Sequence, residues 1–391
     1  MKIALVDLSL MYSCFEDGCK CNANSSLTLS TINQIIARCD SHEVCFVPTN
    51  NHNPSSLTDL IDTCSKQMAD LKPLVIFISA CSAYAGLALN LSKKWKQEIG
   101  SKVVLGGRHF EEPRLSHYSP QELTLDSQVR QPITTSLLWG QQNKCLDYVY
   151  SGSGGNIPHL LKAIEDGLTA DAEGIFTLSG RYLQGKGRCR EFPAGIIPIS
   201  KAKFEDGDDY LLRVIVSDYC PEGCGFCVGP SRLGVSFDEA LLSQAATAII
   251  ANTCDKTTII QFCDSNPIRP DSIDKYGQII KQVRKAKPYR QYGMFMNTAY
   301  LIDRRFFDYT MQFVRTMDIM SLFVGRDCLT GEIAGAIGRN HNRLSRSQEM
   351  LDGEQNVICK ILSASDQYQK FNDFIHTCTS SDNKRIYSKD G

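Results

Sequence analysis

Apolar and polar positions along this chain follow two periods, and the change from one to the other marks the elements. Lys2–Asp7 is a short apolar run, and Glu43–Pro48, Leu74–Ala80, Lys102–Leu105 and Asp147–Tyr150 share its length and character. Such runs, bounded by polar or glycine residues, predict strands buried on both faces. Between them, Leu57–Ala69, Gly86–Glu98 and Ile157–Asp166 carry helical patterns. Strands separated by helices predict a parallel, doubly wound sheet.

A second series begins near Asp208. Strands are predicted at Leu212–Ser217, Thr257–Phe262, Gln291–Asn297, Ile319–Val324 and Asn356–Leu362. Helices are predicted at Phe237–Ala251, Ile273–Ala286, Arg304–Arg315, Glu332–Ile337 and Asp366–Thr377. Ser236 and Glu239 form a capping box that starts the first of these helices. Five or six βα units are fewer than the eight that close a barrel. The expected fold is therefore α/β, a doubly wound parallel sheet followed by a partial TIM-like barrel.

Length agrees with two units, since 391 residues exceed the roughly 250–300 at which single cores stop growing. We place the first domain at 1–170, a connector at 171–207, the partial barrel at 208–378 and a polar tail at 379–391. A net charge of −1 lacks the basic excess of nucleic-acid binders, so no such partner is expected. No apolar run reaches the roughly 18 residues that span a bilayer, and the chain enters a strand at once without a signal peptide. The 17 cysteines fall well short of a disulfide scaffold, and a reducing, cytoplasmic location suits so many free thiols.

The candidate chemistry sits directly after the strand that ends at Ser217. Tyr219-Cys-Pro-Glu-Gly-Cys-Gly-Phe-Cys227 places Cys220, Cys224 and Cys227 in a C-x-x-x-C-x-x-C loop. Cysteine-held iron–sulfur clusters normally use four thiolates, so a loop of three leaves one iron open to another ligand. A structural zinc site is the competing reading, but it needs further ligands, and no second C-x-x-C or H-x-x-x-H occurs. The loop lies at the carboxyl end of a strand, where α/β folds place their chemistry. Two other strand ends, Leu105-Gly-Gly-Arg-His109 and Tyr150-Ser-Gly-Ser-Gly-Gly155, are rich in glycine. Such glycines serve either tight turns or close backbone approach to a ligand.

The cysteine spacing, with aromatic Phe226 before the last thiol, resembles the radical S-adenosylmethionine superfamily. Val103–His109, Ser151–Gly155 and the stretch Gly174–Gly187 resemble the cobalamin-binding-type domain that precedes many of its barrels. The sequence departs from that pattern in lacking D-x-H-x-x-G, and in having Ser151-Gly-Ser-Gly-Gly155 where an acidic strand end is usual.

The resemblance implies a 4Fe-4S cluster on Cys220, Cys224 and Cys227, whose open iron chelates S-adenosylmethionine. It implies that Phe226, Asp264, Asn297 and Arg326 contact that cofactor, with Asp264 accepting from the methionine ammonium and Arg326 pairing with its carboxylate. It further implies reductive cleavage of a carbon–sulfur bond, usually to a 5′-deoxyadenosyl radical, with flavodoxin or ferredoxin as electron donor and a small molecule as substrate. Cobalamin-dependent methyl transfer is one alternative. Transfer of an aminocarboxypropyl group to a thiophilic acceptor such as trivalent arsenic is another, motivated by Cys14, Cys19 and Cys21. A cluster-binding sensor is the non-enzymatic alternative. Cys328, Cys359 and Cys378 are too dispersed for a second cluster motif, although Cys328 follows Arg326 closely.

Overall fold

The protein is seen in a computed structural model, which describes residues 1–8, 26–39, 42–47, 57–81, 84–110, 132–179, 182–187, 189, 195–203, 210–217, 239–264, 266–297 and 304–325. Strands β1 (Lys2–Asp7), β2 (Glu43–Phe46), β3 (Val75–Ser79), β4 (Lys102–Gly106) and β5 (Tyr148–Tyr150) pair in parallel. Strands β6 (Ile175–Ser179) and β7 (Tyr182–Gln184) extend the sheet antiparallel. The resulting order is β2-β1-β3-β4-β5-β6-β7. Five helices accompany it: α1 (Leu27–Ile36), α2 (Leu57–Leu71), α3 (Ala85–Ile99), α4 (Pro132–Asn143) and α5 (Ile157–Glu165).

The two-residue period of a strand explains why this sheet needs helices on both sides. Ile3, Leu5, Val75, Phe77 and Val104 pack with Leu29 and Ile35 of α1 and Leu160 and Leu161 of α5. Their neighbours Ala4, Val6, Ile76, Ile78, Val103 and Leu105 pack on the other face with Met68 of α2 and Trp95 of α3. Trp95 is fully buried, and its indole N–H donates to Ser65 Oγ at 3.1 Å, so its polar atom is satisfied inside the core.

The second sheet contains β8 (Ile199–Lys203), β9 (Tyr210–Val214), β10 (Thr257–Phe262), β11 (Gln291–Asn297) and β12 (Ile319–Gly325) in the order β12-β11-β10-β9-β8. Strands β9 to β12 are parallel and β8 is an antiparallel edge. Helices α6 (Glu239–Asn252), α7 (Ile273–Ala286) and α8 (Arg304–Thr316) alternate with the parallel strands. Leu212, Val214, Ile260, Phe262 and Met294 form one core with Ala245, Ile249, Ile280 and Phe313. Phe262 is its aromatic centre, meeting Tyr276 edge-on at 5.3 Å and stacking with Tyr292 at 6.4 Å. Among the described residues the strands follow in sequential order without closing, as expected for the open, barrel-like sheet.

Helices α1 and α4 and strand β8 had no counterpart among the expected elements. The stretch 171–207, read as a connector, supplies β6 and β7 to the first sheet and β8 to the second. The strand Asn356–Leu362, the helices Glu332–Ile337 and Asp366–Thr377, the capping residue Ser236 and the polar tail lie outside the described residues. Among the described residues, no helix is long and apolar enough to cross a membrane.

Candidate functional site

At the carboxyl end of β9 the backbone ladder gives way to a side chain. Val214 pairs with Phe262, and Cys263 N–H donates to the Val214 carbonyl at 2.7 Å. Beyond that point the N–H of Val216 donates to Asp264 Oδ1 at 3.0 Å, and the N–H of Ser217 donates to the same oxygen. This explains why β9 ends at Val214 although the apolar run continues to Ser217. A carboxylate reaching across from β10 has taken over the last two donors.

Asp264 is 1% exposed. Its second oxygen, Oδ2, has no hydrogen bond of normal geometry, although the Tyr276 hydroxyl couples to the carboxylate from α7. Burial pushes the Asp264 carboxyl up to about 7, against the pull of the Ser217 amide, the Tyr276 hydroxyl and the Val216 amide. Burial, with the nearby carboxylate, raises the Tyr276 hydroxyl well above its ordinary value.

Ser217 Oγ and both amide atoms of Asn266 are buried without a partner among the described residues. Buried polar groups are almost always hydrogen-bonded, and each one left alone costs about 1–3 kcal/mol. These atoms, on the neighbouring ends of β9 and β10, gather buried polar groups that lack a partner among the described residues. The turn after Asn266 is braced. Arg269, 3% exposed, pairs with Asp271 through Nε to Oδ1 at 2.9 Å and through a second nitrogen to Oδ2 at 3.3 Å. It also donates to the Asn266 carbonyl at 2.9 Å. Burial works to raise the Asp271 carboxyl, but the guanidinium overrides it and holds the group below its ordinary range. Ser272 Oγ closes the turn on the Pro267 carbonyl at 2.7 Å.

Of the residues expected to form the site, Asp264 stands two residues past the end of β10. Asn297 is the last residue of β11, beside Gly325 at the end of β12, so its backbone shares that edge of the sheet. Cys220, Cys224, Cys227, Phe226 and Arg326 lie outside the described residues, as do Cys14, Cys19, Cys21 and Cys328. Among the described residues no three metal-binding side chains cluster. Ser217 and Arg269 were not singled out from sequence, whereas Asn266 belongs to the polar run Cys263-Asp264-Ser265-Asn266 that follows the apolar β10.

The glycine-rich ends of the first sheet prove to be sites of close internal contact. A Cβ on Gly107, whose φ is +98°, would stand 2.7 Å from the Ala80 nitrogen and oxygen. One on Gly152 would stand 2.2 Å from the Cys189 carbonyl oxygen. Cys189 lies across the end of β5, where its N–H donates to the Ser151 carbonyl at 3.0 Å. His109 packs edge-on against Phe110 at 4.9 Å, and burial lowers its imidazole pKa.

The chain is similar in structure to the radical S-adenosylmethionine methyltransferase TsrM from Kitasatospora setae, determined with cobalamin and a 4Fe-4S cluster bound. The TM-score is 0.58 at 12% identity, over 92% of this chain and 67% of that one. The two share a fold. No protein-family model matches the sequence, and no curated protein matches it. Both parts of the expected architecture, the doubly wound sheet and the open barrel-like sheet, are thus found together in a solved structure.

Proposed function

We propose that this protein is a radical S-adenosylmethionine enzyme, holding a 4Fe-4S cluster through Cys220, Cys224 and Cys227 and modifying a small molecule. One observation carries the reading. The three-thiol segment follows Ser217 within a few residues of sequence, and Ser217 Oγ and both amide atoms of Asn266 are buried without a partner among the described residues. The shared fold with TsrM supports it.

The donor set suits the cofactor. An α-ammonium needs acceptors; Asn266 Oδ1 is buried without a partner among the described residues, and Asp264 Oδ2, which faces the Tyr276 hydroxyl, is buried beside it. Asn297 ends β11 on the same edge, and Arg326 follows Gly325 directly in the chain. In this reading Arg326 pairs with the methionine carboxylate, and Phe226 lies beside the cluster. When bound, the cluster supplies an electron, delivered by a donor such as flavodoxin or ferredoxin, for reductive cleavage of a carbon–sulfur bond of S-adenosylmethionine. The chain's part is to orient the cofactor and exclude water from the reacting carbon.

A second reading, cobalamin-dependent methyl transfer, is favoured by the cobalamin bound in TsrM. The described glycines do not add to it, because Gly107 and Gly152 are occupied by contacts within the chain. We therefore derive no step through cobalamin. Anaerobic reconstitution with dithionite and S-adenosylmethionine tests the proposal. 5′-Deoxyadenosine or methylthioadenosine should accumulate with the wild type and not with Cys224→Ala. An intact cluster with neither product would leave a sensor. A cobalamin absorption spectrum on the purified protein would favour the second reading.

A further inference from the structure

We propose that Asp264 is a positioning residue for the cysteine segment, its Oδ1 fixing the backbone at Val216 and Ser217 from which the chain departs toward Cys220. The inference rests on the reading that Cys220, Cys224 and Cys227 hold the cluster. It assigns Asp264 a task separate from any contact with the cofactor.

The geometry separates the two tasks by oxygen. Oδ1 accepts both Val216 N–H and Ser217 N–H, while Oδ2 has no partner of normal geometry. In a parallel ladder the N–H of Val216 would turn to a backbone carbonyl of the neighbouring strand. Here a side chain substitutes for it, at Val216 and Ser217, a few residues before Cys220 in the sequence. The substitution gives both amides one buried acceptor where the ladder no longer supplies a carbonyl.

Asp264 can serve as a fixed anchor because it is itself held. It is 1% exposed and follows directly on the β10 ladder. The turn after it is locked by the two-pronged Arg269–Asp271 pair and by Ser272. On its other side stands Tyr276, 1% exposed. A residue needed only to bind an ammonium would not need both strand amides on one oxygen.

Two substitutions separate anchoring from charge. Asp264→Asn keeps an amide oxygen able to accept both N–H groups and removes the charge. Asp264→Ala removes both. Peptide-level hydrogen exchange across Val214–Ser217, in protein without cluster, should quicken about tenfold or more in the alanine variant and stay near wild type in the asparagine variant. After anaerobic reconstitution, iron content should fall in Asp264→Ala and hold in Asp264→Asn, even where the latter binds S-adenosylmethionine poorly.

Wild-type exchange in Asp264→Ala would overturn the proposal, and so would full iron content in that variant. Should the alanine variant fail to fold, Asp264→Glu replaces it. That variant keeps the charge but shifts the acceptor by one methylene, and the same quickening is expected. A wild type that takes up no iron would sink the cluster reading, whereas the exchange experiment would still decide whether Asp264 anchors the strand end.

Discussion

Ser30, on the helix that covers one face of the first sheet, donates its hydroxyl to the carbonyl of Ile199 on β8, the outer strand of the second sheet. An edge strand leaves one row of carbonyls unpaired, and α1 covers part of that row. Arg38, just past the end of α1, adds a second tie to the Gly195 carbonyl. Helix α1 therefore packs in the first core and also touches the edge of the second sheet. Ser30→Ala should lower stability by about 0.5–1.5 kcal/mol, read from the midpoint of urea unfolding. An unchanged midpoint would mean that this tie contributes nothing.

Ser26 does two jobs at the start of the same helix. Its hydroxyl oxygen accepts from Leu29 N–H at 3.0 Å as the N-cap, and its hydroxyl donates to the buried carboxylate of Asp7 at the end of β1. Ser26→Ala removes the cap and one hydrogen bond to a buried carboxylate, and should cost about 1–3 kcal/mol. Ser26→Asp would cap the helix equally well but face Asp7 with a second negative charge. It should therefore be no more stable than the alanine variant when the thermal midpoints are compared.

Gly152 and Gly100 form a matched pair for the glycine argument. Both have positive φ, +128° and +80°, but a Cβ at Gly152 meets the Cys189 backbone, whereas one at Gly100 meets nothing within 4 Å. Gly100→Ala should cost about 1 kcal/mol from backbone strain alone. Gly152→Ala should cost distinctly more, because backbone cannot move aside as a flexible side chain can. Equal losses in calorimetry would show that the crossing of Cys189 over β5 is looser than described.

The raised Asp264 pKa makes a signed prediction. An acid whose folded pKa of about 7 lies above its unfolded value of about 3.9 binds its proton more tightly in the folded state. The stability it contributes is full below about pH 4 and is lost as pH rises toward 7. The loss cannot exceed about 1.4 kcal/mol per pH unit, the limit for one proton. Asp264→Asn should flatten the wild-type decline between about pH 4 and 7. Parallel stability curves for the two proteins would contradict the assignment.

Much of this architecture was legible because the strands are short apolar runs, those at the centre of the first sheet buried on both faces. Lys2–Asp7, Thr257–Phe262, Gln291–Asn297 and Ile273–Ala286 were predicted to the residue. Helix α1 was missed because Leu27-Thr-Leu-Ser-Thr-Ile is rich in hydroxyl and β-branched residues with weak helix propensity. Its stability comes from Ser26 and from the packing of Leu29 and Ile35. Strand β8 is an edge, and its partner β9 sets its place more than its own alternation does. At the site, Asp264 was legible as a polar residue ending a strand. Its hold on Val216 and Ser217 was not, because a contact across 48 and 47 residues of sequence leaves no local pattern. The glycine-rich ends could be read either way from sequence. The structure fills Gly107 and Gly152 with the chain's own backbone.

Electron paramagnetic resonance of the anaerobically reconstituted, dithionite-reduced protein, with and without S-adenosylmethionine, tests the central claim most directly. The account predicts about four iron and four sulfide per chain, a reduced-cluster signal that shifts when S-adenosylmethionine is added, and loss of both in Cys224→Ala. A protein that binds no iron, or one whose cluster signal is indifferent to S-adenosylmethionine, would contradict it.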